Sequence, residues 1–420
     1  MCPETPDGCP DPRGRAPLSK QEALDLLLAQ AHPLTETESV ATEEGLGRVL
    51  AEPVMSAIDV PGWDNSAMDG YAVRLADLAA GATRLRVAQR IPAGTTGQPL
   101  EPHTVARIFT GAPIPPGADA VVIQEVCERE GDWVRIPAAA TTTPGANIRR
   151  AGEDLHAGSE AIPAGTRLAP QHLGLAASVG VARLRVYRRL RVALFSSGDE
   201  LTLPGQPLAP GCIYNSNRFT LLGLLRGLGC QVSDLGQVPD TLEATLAALA
   251  EGARTSDLVL ASGGVSVGEE DHVKPAIERL GRLDLWNIAI RPGKPLAFGH
   301  IGATPFLGSP GNPVSLFATF CLFARPFILR LQGVAGPVTP RALKVQAGFD
   351  WPNPDRRREL QRARLEHGPG GETRAVVHGS RSSGVLSSIT WAEGFVEVPE
   401  GRVIRAGDLV DFIPFDALLH

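Results

Sequence analysis

The chain has 420 residues, 20% of them charged and 43% hydrophobic. That composition excludes wholesale disorder and supplies cores for two to four domains at roughly 150 residues each. Its 40 basic and 46 acidic residues give a net charge of −6, which counts against a general nucleic-acid binder. The six cysteines include no Cys-x-x-Cys pair and the nine histidines show no ligand spacing, so neither a zinc site nor a disulfide framework is expected. The 46 glycines and 36 prolines follow no period and are read as tight turns.

Residues 1–17 are polar and Pro/Gly-rich, read as a disordered tail without the apolar core of a signal peptide. Ser19 and Glu22 form a capping box, and Ala23, Leu24, Leu27, Leu28 and Ala31 then follow helical spacing. A second helix is predicted over 43–50. From 53 to 146, short alternations at 85–87, 105–108, 120–123 and 133–136 separated by turns predict a small β domain. Segments 18–52 and 147–187, with a helix at 170–179, form a helical and extended linker domain. From 188 to 332 strands alternate with helices: strand 191–195, helix 217–228, strand 231–238, helix 240–253 opened by a capping box of Asp240 and Glu243, strand 258–261 and helix 273–280. A hairpin over 296–307 and a long helix over 313–331 follow. This alternation implies right-handed crossovers and a doubly wound, mostly parallel sheet. The most apolar stretch, 314–331, is interrupted by Arg325 and Pro326 and suits a bilayer poorly. Strands at 360–365, 373–377, 394–398 and 408–412 predict a small C-terminal β-barrel or sandwich over 337–420, with the barrel preferred. The fold class is multidomain α/β plus β, in a reduced, soluble, cytoplasmic protein with no nucleic-acid or membrane partner.

Ligands of open parallel sheets bind beyond the carboxyl ends of the strands, and three such ends carry turns suited to anions. They hold Ser197 and Gly198; Ser262, Gly263, Gly264 and Ser266; and Ser309, Gly311 and Asn312, with Asn312 as N-cap and Pro313 at N1. Their N–H groups and the helix start form a phosphate-sized cradle. Dinucleotide and Walker A patterns are absent from these loops. Arg291 and Lys294, set among prolines, add two cations. Glu200, Asp240 and Asp271 gather near the same edge. Two like charges about 4 Å apart cost on the order of 4 kcal/mol at a dielectric of ~20, so the trio calls for an oxygen-liganded cation, Mg²⁺. Each also has a structural reading: Asp240 and Asp271 as helix caps, Glu200 as an ion-pair partner. The polar run Asn65-Ser66-Ala67-Met68-Asp69-Gly70-Tyr71-Ala72 is unexplained by hydrophobic periodicity.

Seven segments, in order, resemble the MoeA and gephyrin E-domain family of molybdopterin molybdenumtransferases: PGWDNSAMDGYA (61–72), ARIFTGAPIPPGADAVV (106–122), NIRRAGED (147–154), SSGDEL (196–201), ASGGVSVGEEDHVK (261–274), RPGKPLAFG (291–299) and GSPGNPVS (308–315). The resemblance implies that 188–332 is a molybdopterin-binding domain and that the linker domain serves dimerisation. It implies an enzyme that binds adenylylated molybdopterin, cleaves the adenylate linkage with Mg²⁺ and molybdate, and releases AMP and molybdenum-loaded molybdopterin. It further implies a homodimer with shared active sites. Asp69 and Thr110 would come from the partner's β domain and Asp154 from the GED segment. Glu200, Asp240 and Asp271 would come from the α/β domain, and Arg362 and Ser383 from the C-terminal domain. A pterin dithiolene would itself be the soft ligand for the metal, which accounts for the missing cysteine cluster.

The chain departs from the family where lysines are common, at Asn287 and Arg291, and where threonine is common, at Ser197. Arg291 keeps the charge as a planar fork. Asn287 loses it, so that, if that lysine is essential, either activity is weak or another basic residue such as Arg149 or Arg150 compensates. Two other functions share the α/β domain: the adenylyltransferase that makes adenylylated molybdopterin, which is also an expected hand-over partner, and a non-catalytic molybdopterin-binding scaffold. A competence-damage-related protein would lack the β-domain motif.

Overall fold

The computed structural model describes residues 17–138, 140, 143–265, 271–368 and 370–419. The expected tail over 1–17 lies almost wholly outside them. Ser19 caps the helix Lys20–Ala29, its Oγ accepting from Glu22 N while the Glu22 carboxylate accepts from Ser19 N. This helix packs its Ala23, Leu24 and Leu27 into the core of the α/β domain, beside Leu190 and Phe327.

The linker unit pairs Thr37–Ala41 with Arg183–Tyr187 and Val54–Met55 with Glu160–Ile162, beneath the helix Pro170–Ser178. The helix expected over 43–50 is replaced by one short turn, Thr42–Glu44. The physical reason is local. Gly47 adopts φ +72, and the N–H groups of Gly47 and Leu50 donate across to Leu168 O (2.8 Å) and Thr166 O (3.0 Å) rather than along a helix.

The β domain is a six-stranded sheet in the order Ala120–Ile123, Gly70–Val73, Thr104–Ile108, Arg84–Ile91, Trp133–Arg135, Glu128–Glu130. It joins the linker unit through Asn65–Ser66, which pairs with Ile148–Arg149. The α/β domain orders its strands Gln231–Val238, Arg191–Ser197, Leu258–Ser262, Thr304–Ser309, Pro295–Ile301, Gly281–Asn287. The first four run parallel, Pro295–Ile301 runs antiparallel to both of its neighbours, and Gly281–Asn287 returns to the direction of the first four. Helices Ser216–Gly227, Leu242–Thr255 and Val273–Leu280 flank this sheet.

The helix Pro313–Leu331 is long and apolar enough to cross a membrane by composition, yet 94% of that window is buried in the fold. It is the core helix of the α/β domain. Its centre, Phe320–Ala324, is π-helical. Pro326 offers no N–H to the preceding turn, and just before it the helix widens, Arg325 N donating to Phe320 O.

Five C-terminal strands, Leu343–Ala347, Arg358–His367, Thr373–Val377, Gly394–Val398 and Leu409–Pro414, close into a barrel. The long strand Arg358–His367 closes it by pairing with both Thr373–Val377 and Gly394–Val398. The short strand Ile290–Arg291 also pairs with it, Ile290 opposite Arg358 and Arg291 opposite Glu359. That register brings the basic turn of the α/β domain against the barrel.

Candidate active site

A cavity of about 1000 Å³ opens between the α/β domain and the barrel. Its floor is the carboxyl edge of the parallel sheet. Ser197 and Gly198 border it from the first turn, Ser262, Gly263 and Gly264 from the second, and Gly311 and Asn312 from the third. The turns fit together because Gly263 has φ +86 and a Cβ there would lie 2.4 Å from Ser197 O. Asn217 Nδ2 ties the assembly, donating to Ser262 Oγ (3.1 Å) and Gly311 O (2.7 Å). Asn312 starts the helix Pro313–Thr319, but its side chain makes no capping bond. Ser309, expected beside Gly311 and Asn312, is buried and does not border the cavity, and its carbonyl accepts from Gly263 N (3.2 Å). Ser266 lies outside the described residues.

Glu200, Asp240 and Asp271 all border the cavity. Asp240 does not cap the helix that follows. Pro239 and Asp240 form a tight turn (Thr241 N to Pro239 O, 2.7 Å), so the helix starts one residue later, and Thr241 Oγ1 accepts from Ala244 N at 3.2 Å. The Asp240 carboxylate instead accepts from Ser197 Oγ (2.5 Å) and Asp199 N (3.0 Å), while Asp199 Oδ1 accepts from Asp240 N (3.2 Å). This reciprocal pair locks two sheet-edge turns together. The N-cap position of Val273–Leu280 is His272, one residue after Asp271. Glu200 makes no ion pair among the described residues.

Among the described residues, no three of His, Cys, Asp and Glu converge as a metal-binding group. The expected trio Glu200, Asp240 and Asp271 is therefore not a ready chelate, because Asp240 is spent on loop contacts. Magnesium commonly takes one or two carboxylates and completes its shell with phosphate and water. An all-oxygen donor set on one cavity wall fits a cation held in that way.

Cations border the same cavity: Arg291 and Lys294 from the α/β domain, Arg357 and Arg381 from the barrel. Arg291 Nη1 lies 3.1 Å from Asp355, and Arg357 Nη2 lies 2.8 Å from the same carboxylate. Hydrogen bonds from the Arg357 side chain outweigh burial and hold the Asp355 carboxyl well below the usual range. Lys294 has no ion-pair partner among the described residues. Arg357 and Arg381 were not legible in the sequence, since neither stands in a turn that marks it.

Ser383 borders the cavity, but Arg362 does not. Arg362 is 1% exposed, because it lies on the strand face of Leu360, which packs against the α/β core, while Ala363 on the other face points into the barrel. It donates to Ser388 Oγ (3.1 Å) and to the carbonyls of Ser382 (3.3 Å) and Ser380. It thus holds the 380–388 loop rather than a ligand. Asn287 is 7% exposed and also lies away from the cavity lining. Arg149 and Arg150 do not border it either, and Arg150 pairs with Asp64 (2.5 Å).

Asp69, Thr110 and Asp154 lie outside this cavity. The first two meet each other: Thr110 N and Oγ1 donate to Asp69 Oδ1 at 2.8 and 2.9 Å. These bonds, the backbone one foremost, hold the Asp69 carboxyl below its ordinary value. Asp154 is exposed, its N–H donating to Val60 O (2.9 Å).

Residues 18–180 match the MoeA N-terminal region (domain I and II), 193–330 a probable molybdopterin binding domain, and 344–415 the MoeA C-terminal region (domain IV). A molybdopterin molybdenumtransferase from Haemophilus influenzae is 40% identical over 404 residues, covering 96% of this chain and all of the relative. The chain belongs to the molybdopterin molybdenumtransferase family. A second family member, molybdopterin molybdenumtransferase 2 of Mycobacterium tuberculosis, is 37% identical over 92% of this chain and 96% of its own. The crystal structure of a molybdopterin biosynthesis MoeA protein from Pyrococcus horikoshii superposes with a TM-score of 0.81 at 28% identity, covering 95% of this chain and 100% of that one. Another structure of the MoeA protein from that organism gives 0.74 at 32% identity, covering 95% of this chain and 99% of that one. The family therefore spans all four units of the chain.

Proposed function

We propose that this protein inserts molybdenum into adenylylated molybdopterin, with Mg²⁺-dependent release of AMP, to give the molybdenum cofactor. Family membership supports a transferase of molybdenum cofactor biosynthesis. The observation that carries the finer reading is the cavity's mixed lining: carboxylates and N–H-rich turns from the α/β domain, and cations from both the α/β domain and the barrel. A substrate with both a pyrophosphate linkage and a tetrahedral dianion needs both kinds of group.

In this reading Arg291, Lys294 and Arg357 hold oxyanion oxygens, with arginine forks suited to bidentate contact. The turn N–H groups cradle phosphate. Asp240 and Ser197 keep that turn in place. Glu200 and Asp271 would hold magnesium together with substrate phosphate oxygens, and the ion, when bound, supplies charge neutralisation at the linkage. Cleavage adds one water across the P–O–P bond, with hydroxide joining one phosphorus and the proton ending on the oxygen that leaves the other. A second copy of the chain is the proposed source of Asp69, Thr110 and Asp154, since none of them borders the cavity of its own chain. The four described cysteines are free thiols, which suits a reduced, cytoplasmic setting. A molybdopterin adenylyltransferase would supply the substrate.

The test is AMP release from adenylylated molybdopterin and Mg²⁺, followed with and without molybdate. Molybdate-dependent release is expected, and Asp271→Asn should bind the substrate while releasing little AMP. Tight binding without release would favour a scaffold, and formation of adenylylated product from ATP would favour the adenylyltransferase.

A further inference from the structure

Glu359 is 1% exposed, a costly place for a carboxylate unless it is well partnered. One of its oxygens accepts from Trp351 Nε1 (3.0 Å) and Asp355 N (3.3 Å), the other from Gln361 Nε2 (3.1 Å) and Arg381 Nη2 (2.7 Å). Arg381 is the one cation among these donors. Its side chain is 41% exposed and borders the cavity. Its guanidinium carbon also lies 4.4 Å from the centroid of the Trp351 ring. One N–H is thus pinned by a buried carboxylate and one face is pinned by an indole. Nε and Nη1 make no hydrogen bond among the described residues.

Stability alone explains this arrangement poorly. A buried carboxylate beneath a half-exposed arginine gives little net stabilisation over an apolar core of the same shape. What the arrangement provides is a fork whose plane is set before any ligand arrives, at a cavity that Arg291, Lys294 and Arg357 also border. An arginine with two unused donors in fixed orientation matches the edge of a tetrahedral oxyanion or a phosphoryl group.

We propose that Arg381 is a binding residue for a tetrahedral oxyanion in the cavity, and that Glu359 is the positioning residue that aims it. The proposal rests on the cavity being the oxyanion and nucleotide-phosphate site described above. The two sources of that chemistry are molybdate and the phosphate of AMP. Trp351 supplies the second constraint by covering one face of the guanidinium.

Calorimetric titration of the full-length protein with sodium molybdate, and separately with AMP, tests the proposal in wild type, Arg381→Met, Arg381→Lys and Glu359→Gln. Thermal unfolding of each variant runs alongside. Arg381→Met should weaken one ligand by about tenfold or more, the scale of a charge-assisted hydrogen bond. The arm that weakens identifies the source. Arg381→Lys should recover only part, since a point charge lacks the fork. Glu359→Gln should weaken the same arm at temperatures well below its own unfolding. If both Arg381 variants bind molybdate and AMP as wild type does, the binding role is overturned. A Glu359→Gln protein with lower Tm but wild-type affinity would overturn the positioning role. Failure of wild type to bind either ligand would instead bring down the reading of the cavity, and this proposal with it.

Discussion

Gly263→Ala perturbs the contact on which the cavity floor depends. At φ +86 an alanine costs about 1–2 kcal/mol in backbone conformation alone. Its Cβ would sit 2.4 Å from Ser197 O, where ordinary van der Waals contact begins at 3.4 Å, so the two turns must part by about 1 Å. Relief of that overlap adds roughly 1–3 kcal/mol, giving a total near 2–5 kcal/mol. The same movement draws Ser197 Oγ away from Asp240, to which it donates at 2.5 Å. A displacement of about 1 Å near reacting groups costs on the order of 10²-fold in rate. Gly311→Ala is the control, because its Cβ would meet no heavy atom within 4 Å. Its stability should stay within about 0.5 kcal/mol of wild type. Thermal unfolding and AMP release, measured on both variants, give the comparison. A Gly263→Ala protein with wild-type Tm and rate would refute the packing account of this floor.

Arg362→Met should destabilise the barrel by about 2–4 kcal/mol, because it strips donors from Ser388 Oγ and two carbonyls. Limited proteolysis within 380–388 should rise with it, and an unchanged cleavage pattern would count against Arg362 as the loop's anchor. Burial raises the pKa of Asp257, yet hydrogen bonds from Arg188 and Arg191 outweigh it and hold the carboxyl at about 2. A depressed folded-state pKa means that this stabilisation is present above pH 4 and fades as pH falls toward 2. Asp257→Asn should therefore cost about 1–2 kcal/mol at pH 7, with the gap to wild type closing between pH 4 and 2. A gap that stays constant across that range would contradict the linkage. Thr110→Val keeps the backbone bond to Asp69 but removes the hydroxyl, so the Asp69 carboxyl should titrate higher by NMR. An unchanged titration would remove Thr110 Oγ1 from that interaction.

Signals confined to a few neighbouring residues were legible in the sequence. The capping box at Ser19 and Glu22, the strands Gln231–Val238 and Gly394–Val398, and the helix Val273–Leu280 all rest on local periodicity, and the structure forms each over the expected span. The edge strand Gly281–Asn287 has a period-2 signal of only two leucines, Leu283 and Leu285, both buried. That alternation could have found it. The three sheet-edge turns were legible because clustered glycine and serine mark tight turns, and the structure sets all three at one cavity. Arg357 and Arg381 carry no such mark, since they reach the cavity only through barrel closure and the pairing of Ile290–Arg291 with a strand some 70 residues on. Arg362 stands outside the seven segments, and nothing in its neighbours shows that the 380–388 loop takes up its donors. Asp240 precedes a helix and looks like a cap, but the turn at Pro239 shifts the helix start by one residue and leaves its carboxylate to the neighbouring loop.

The most direct test of the central claim is the stoichiometry of a single turnover. Protein stripped of molybdenum is mixed with adenylylated molybdopterin, Mg²⁺ and excess molybdate. AMP is then quantified by chromatography, and pterin-bound molybdenum by mass spectrometry of the separated product. The account predicts one molybdenum transferred for each AMP released, with both lost together in Asp271→Asn. AMP released without molybdenum reaching the pterin would contradict it, because the cavity would then be a hydrolase site rather than the place where the metal is inserted.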